Sequence, residues 1–155
     1  NTGRPKRIEK EEVHCKYRSN YIDCGNLPLY SFGHGLSYSD FVYEGLELSS
    51  DKITAEAPVI AKITVRNNSK VGGKETVMLY MRDMYASNSR PVQQLIAFDK
   101  VEIAAGDTKV VEFTIDETML RFWNNEHKFL SEPGLFEIST GYADHLIYTT
   151  DLTLE

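Results

Sequence analysis

The sequence predicts an all-β fold: an immunoglobulin-like or fibronectin type III-like sandwich of about seven strands, entered through an extended N-terminal lead-in. Three observations carry this. From about residue 40 the chain runs as short segments of alternating apolar and polar residues, separated by turns rich in Gly, Asn, Asp and Pro. Helical periodicity, which an α/β enzyme fold would show, is almost absent. The length, 155 residues, is that of one domain and suffices to bury roughly two-thirds of the unfolded chain's surface.

The elements follow in order. Residues 1–39 show no sustained period and mix charges between Arg4 and Arg18 with later aromatics and glycines. Irregular stretches of this length are normally linkers or functional segments, so 1–39 reads as a lead-in shared with whatever precedes it, and 40–155 as the domain. Phe41–Leu48 is the first strand, with Phe41, Tyr43, Leu46 and Leu48 as its apolar set and a bulge at Gly45, where parity breaks. In the second, Val59, Ala61, Ile63 and Val65 alternate with Lys62, Thr64 and Arg66 before an Asn67–Gly73 loop. In the third, Val77, Leu79 and Met81 form one face, but Met78 and Tyr80 make the other face apolar too, as in a central or covered strand.

After a long polar loop, Asp83 to Gln94, the fourth run, Leu95–Ile103, carries Phe98 on one parity and Val101 and Ile103 on the other, which again calls for a bulge or crossing. Ala105-Gly106-Asp107 turns into Val111, Phe113 and Ile115. Asp116 is placed to cap a helical turn through Met119, after which Leu120, Phe122 and Trp123 are expected to close one end of the core. Glu132-Pro133-Gly134 launches Phe136, Ile138 and Thr140, and the last strand spans Leu146 to Leu154.

Composition excludes several classes. A formal charge of −6 argues against nucleic acid or an anionic membrane as partner, since phosphate contacts need clustered Lys and Arg. No apolar run approaches the ~20 residues a membrane helix needs. The stretch after Asn1 lacks a signal-peptide core, and the start reads as a cut inside a longer protein. Cys15 and Cys24 are compatible with a small disulfide loop and equally with two free thiols, the default. His14, Cys15, Cys24 and His34 match no compact metal knuckle, so no metal or other cofactor is expected.

Leu27-Pro28-Leu29-Tyr30-Ser31-Phe32-Gly33-His34-Gly35-Leu36-Ser37-Tyr38, followed by Phe41, resembles the junction leading into the last domain of family 3 glycoside hydrolases. Upstream, Asn1-Thr2-Gly3-Arg4-Pro5 looks like the exit from the catalytic body of those enzymes. Downstream, Val77–Asp83, Ser89-Arg90-Pro91-Val92-Gln93-Gln94-Leu95, Phe98, Val101, Gly106 and Glu132-Pro133-Gly134 resemble their C-terminal fibronectin type III-like domain. Ser31 departs from the proline common in the family. The resemblance implies a periplasmic or secreted parent, nearest the bacterial β-glucosidases, whose catalytic carboxylates lie before Asn1. It therefore implies no catalytic residue here: a glycosidase needs two carboxylates flanking the scissile bond, and none in this chain takes either role.

Several features invite sharper readings. Leu29, Tyr30, Phe32, Tyr38 and Phe41 form an aromatic-rich stretch suited to anchoring the lead-in on a neighbouring domain. The expected partners are the catalytic domains of the same chain, with a second subunit as a further candidate. In the 83–94 loop, Tyr85, Asn88, Arg90 and Gln93 could reach an active-site mouth or another subunit, while Arg90 could equally tie the loop to its own sandwich. The rival to a docking domain is a carbohydrate-binding module, which requires solvent-facing aromatics, with Tyr80, Tyr142 and Tyr148 as candidates. Gly33-His34-Gly35 lacks the Lys and helix of a phosphate loop, Asp144-His145 fits a polar turn, and Asn67-Asn68-Ser69 is a glycosylation sequon by pattern that fits an ordinary turn.

Overall fold

The computed structural model describes residues 28–155. Its strands are β1 (Phe41–Leu48), β2 (Lys52–Ile53), β3 (Val59–Asn67), β4 (Gly73–Asp83), β5 (Gln94–Ile103), β6 (Thr108–Ile115), β7 (Phe122–Trp123), β8 (Phe129–Leu130), β9 (Gly134–Tyr142) and β10 (His145–Leu154). Seven of them are the long runs that alternation predicts. The other three, β2, β7 and β8, are two residues long, too short for any period to register.

The strands form two facing sheets. One has the order β1-β3-β6, the other β2-β10-β9-β4-β5, and β7-β8 is a separate small hairpin. The chain passes between sheets at 49–51, 54–58, 68–72, 104–107 and 116–133, so each sheet supplies one inner face and the core lies between them. Val59, Ala61, Ile63 and Val65 from one side meet Val77, Leu79, Met81, Phe136, Ile138 and Leu152 from the other, all buried in one cluster. At about 25 cal/mol per Å² of apolar surface removed from water, this interior is the main stabilising term.

The first parity break resolves as a bulge; the second does not, because the register from Ala97 to Ile103 is unbroken and Phe98 faces outward, 66% exposed, while Val101 and Ile103 face the core. The β1–β3 register shifts between Tyr43 and Gly45, which keeps Tyr43 and Leu46 on the inner side. In β5, Leu79 pairs with Ala97 but Tyr80 pairs with Leu95, leaving Ile96 as the extra residue. The turn at Gly106 has φ +77, left-handed backbone that glycine supplies without strain. Asp116 caps the 3-10 turn Glu117–Leu120 by accepting from the Met119 amide.

One end differs from expectation. Leu120 and Phe122 are buried, but Trp123 is 65% exposed and stacks on Phe129 across the small hairpin, with ring centroids 5.4 Å apart. Alternation explains this: with Phe122 turned inward, its neighbour on an extended strand must face out.

Candidate functional site

β4 is central in its sheet, flanked by β9 and β5, and its second face is covered. Met78 and Tyr80 point away from the core yet are buried, Tyr80 to 2% exposure. The lead-in crosses this outer face. Gly33, at φ +77, sits so close that a β-carbon there would lie 2.6 Å from Met78 Cε. The Tyr80 hydroxyl donates to Met78 Sδ at 3.0 Å.

The lead-in is also clasped at the β9–β10 turn. Ser31 Oγ donates to Asp144 Oδ2 at 2.8 Å, and this bond is the first cause holding the Asp144 carboxyl below the usual carboxylate range. The serine that replaces the family's proline thus supplies a hydroxyl the ring could not. The His34 amide closes a turn onto Ser31 O at 3.0 Å, and its imidazole lies 5.0 Å from the Tyr30 ring. Ser39 then bonds Val71 O at 2.9 Å and delivers the chain into β1.

Held this way, the lead-in turns its large side chains outward. Leu29 is 89% and Tyr38 99% exposed, and Tyr30, Phe32 and Leu36 are also exposed. Phe41 alone of the five predicted anchors packs against the sandwich's own core. The residues before 28 lie outside the described residues, and with them Leu27, the pairing of Cys15 and Cys24, and His14, so that of His14, Cys15, Cys24 and His34 only His34 is described.

The 84–93 loop lies at the other end of the sandwich. Tyr85 and Asn88 are exposed. Arg90 is drawn inward: its guanidinium contacts Asp83 at 3.4 Å, the Leu120 carbonyl at 3.3 Å and Gln94 Oε1 at 3.1 Å, and stands 4.5 Å from the Phe122 ring centroid. The Ser87 amide and hydroxyl bond to Glu132, fixing the loop's outer limb. Gln93 is partly buried, with its Nε2 unpartnered. A shallow cleft of about 340 Å³ runs beneath the loop, lined by Arg82, Tyr85, Asn88 and Val92 among others.

The aromatics proposed for sugar stacking do not form an exposed row. Tyr80 is buried, while Tyr142 and Tyr148 pack against the core. Their hydroxyls explain why: Tyr142 donates to Glu75 Oε1 at 3.2 Å and Tyr148 to Tyr43 O at 3.4 Å, so both rings lean inward to reach partners in the sandwich. The Asn67 sequon is likewise structural, because its amide nitrogen is buried and donates to Val71 O and Ile103 O.

Glu75 has the charge of a solvent-facing residue, and the sequence alone does not mark it. It is buried, accepting from the hydroxyls of Tyr43 at 3.0 Å and Tyr142 at 3.2 Å, and desolvation outweighs these bonds to raise its pKa. The carboxylate in turn helps push Tyr142 up to about 12, after burial itself, and raises Tyr43 further. Parity was the available signal, since Glu75 shares the inward phase of Val77 and Leu79.

Residues 75–143 match the family model described as the fibronectin type III-like domain. The sandwich is a fibronectin type III-like domain. The chain is 43% identical over 141 residues to a periplasmic β-glucosidase of Salmonella typhimurium, which covers 91% of this chain and 18% of that protein. It is 39% identical over 150 residues to a β-xylosidase of Formosa agariphila, covering 96% of this chain and 21% of the relative. A β-glucosidase from Listeria innocua, solved as its D270A mutant with laminaribiose, superposes with a TM-score of 0.81 at 34% identity, covering 99% of this chain and 21% of that one. The likeness to the fibronectin type III-like domain of family 3 glycoside hydrolases, read first from the junction motif, therefore extends across the chain. The chain spans about a fifth of the length of these relatives, between 18% and 21%.

Proposed function

We propose that this fibronectin type III-like domain is a non-catalytic structural and docking domain at the C-terminal end of a β-glucosidase-like hydrolase working in the periplasm or outside the cell. Residues 1–39 connect it to the catalytic domains of the same polypeptide, and 40–155 form the docked body. The reading is carried by one observation: Leu29, Tyr30, Phe32 and Tyr38 are displayed to solvent on a segment clasped in place through Ser31 and Gly33. A segment already ordered loses little entropy on association, so more of its apolar burial appears as affinity. Tyr85 and Asn88, on the loop pinned by Arg90, provide a second contact to the catalytic body or to a second subunit.

The test uses the full-length polypeptide carrying Tyr30→Ser and Phe32→Ser together. Both rings face water in the domain, so the sandwich should stay folded while its attachment loosens. Proteolytic cleavage within the lead-in should accelerate at least about tenfold, as expected when a protected segment opens. Cleavage at the rate of the unsubstituted protein would sink the docking role. The domain without its upstream body should not turn over an aryl β-glucoside, and turnover would make it an enzyme in its own right.

A further inference from the structure

We infer that the docking face continues past the lead-in onto edge strand β5, where the Phe98 ring is covered by the catalytic body to which residues 1–39 connect this domain. This rests on the docking role proposed above. Phe98 is 66% exposed near the middle of β5, the free edge of the five-stranded sheet. Its partner in register is Met78, the side chain on which Gly33 rests. The bulge at Ile96 brings Leu95 opposite Tyr80, adding a second apolar side chain to that outer face. Phe98 therefore flanks the lead-in one strand away, and the two form one apolar surface. A large aromatic on a free sheet edge invites association unless something covers it.

Ion pairs lie on both outer faces: Lys62–Glu112 at 2.9 Å and Arg66–Glu44 at 3.6 Å on the three-stranded sheet, Lys74–Glu102 at 3.9 Å and Arg82–Glu137 at 3.3 Å on the five-stranded one. The exposed aliphatics of the three-stranded face, Val42, Ile60 and Val110, are interleaved with its ion pairs, whereas Phe98 stands beside the Met78 side chain that the lead-in already covers. The occupant of the apolar face follows from chain geometry: the lead-in lies against this same sheet at Ser31 and Gly33, and the relatives carry some four-fifths of their length outside the matched stretch. A tethered neighbour is present at high effective concentration, ahead of any free partner.

The experiment places single thiols on the full-length polypeptide with Cys15 and Cys24 replaced by serine. Phe98→Cys is compared with Val110→Cys, a position 52% exposed on the outer face of the three-stranded sheet, and with Tyr30→Cys, using a maleimide probe. Labelling at 98 and 30 should be at least about tenfold slower than at 110, at every protein concentration. Fast labelling at 98 with slow labelling at 30 overturns the extension and leaves the docking role standing. Fast labelling at both overturns both. Protection at 98 that is lost on dilution assigns the surface to a second copy and overturns the occupant inferred here.

Discussion

The Tyr43 hydroxyl donates a 3.0 Å hydrogen bond to Glu75 Oε1, bolting β1 of one sheet to β4 of the other through a buried carboxylate. Tyr142 donates to the same oxygen and meets Tyr43 edge-on at 5.9 Å. Among the described residues no Lys or Arg pairs with Glu75. A carboxylate buried without a cation is costly when ionised, even with two good donors.

Glu75→Gln keeps an acceptor for both tyrosines and removes the charge. The Glu75 pKa is raised from 4.5, with desolvation the first cause, so between that value and the raised one the folded state binds the extra proton. Its contribution to stability is whole below 4.5 and is lost as pH rises through the folded pKa. Urea unfolding across mildly acidic to neutral pH should show this decline in the parent and a flatter profile in Glu75→Gln, with the variant at least as stable at neutral pH. A variant whose profile parallels the parent's would contradict the bolt. Glu75→Ala, which strands both hydroxyls, should cost about 2–3 kcal/mol.

Arg90 and Asp83 form the domain's buried ion pair, with side chains 7% and 5% exposed. Arg90→Ala leaves Asp83 buried and unpaired and uncovers Phe122, so unfolding free energy should fall by roughly 3–5 kcal/mol. Arg90→Met combined with Asp83→Asn removes both charges and should recover part of that loss. Equal instability of the single and double variants in a denaturant series would show that shape, not charge pairing, holds the loop.

Legibility tracked periodicity. Val59 to Val65 alternates cleanly because one face meets a core and the other meets water. Gly45 disclosed the β1 bulge, since an inserted residue shifts the inward phase, whereas the opposed parities of Phe98 and Val101 reflect an aromatic ring on the outer face and the β5 bulge lies upstream at Ile96. The two-residue strands and the outward turn of Trp123 left no such trace. Glu75 was hidden by its charge, which suggests a solvent position until the hydroxyls of Tyr43 and Tyr142, distant in sequence, are brought to it. The clasp between Ser31 and Asp144 joins residues 113 apart, beyond the reach of any local pattern.

Asn67 is fully buried at the end of β3, and its side chain knits three segments: Nδ2 donates to Val71 O at 2.8 Å and Ile103 O at 3.2 Å, and Oδ1 accepts from the Ser69 amide at 3.0 Å. Asn67→Ala abandons the Ile103 carbonyl and the Ser69 amide, while Val71 O keeps the hydroxyls of Ser39 and Ser69, and should cost about 2 kcal/mol by thermal or urea unfolding. Asn67→Asp retains the acceptor but loses both donors and buries a charge, so it should be no better at neutral pH. A cost near zero for either change would mean that water replaces the lost bonds.

Trp123 is the only tryptophan in the chain, so the domain's indole fluorescence reports on one known place. At 65% exposure beside Phe129, its emission should resemble that of indole in water and move little on unfolding. The cross-strand pair with Phe129 supports a hairpin of two-residue strands, an interaction worth roughly 0.2–1 kcal/mol. Trp123→Ala should therefore destabilise the domain by no more than about 1 kcal/mol, measured by urea unfolding with circular dichroism. Phe122→Ala, one residue away but buried beneath Arg90, should cost about 3–5 kcal/mol. Strongly blue-shifted native emission, or a Trp123→Ala loss as large as that of Phe122→Ala, would place the indole in the core and refute the alternation that turns it outward.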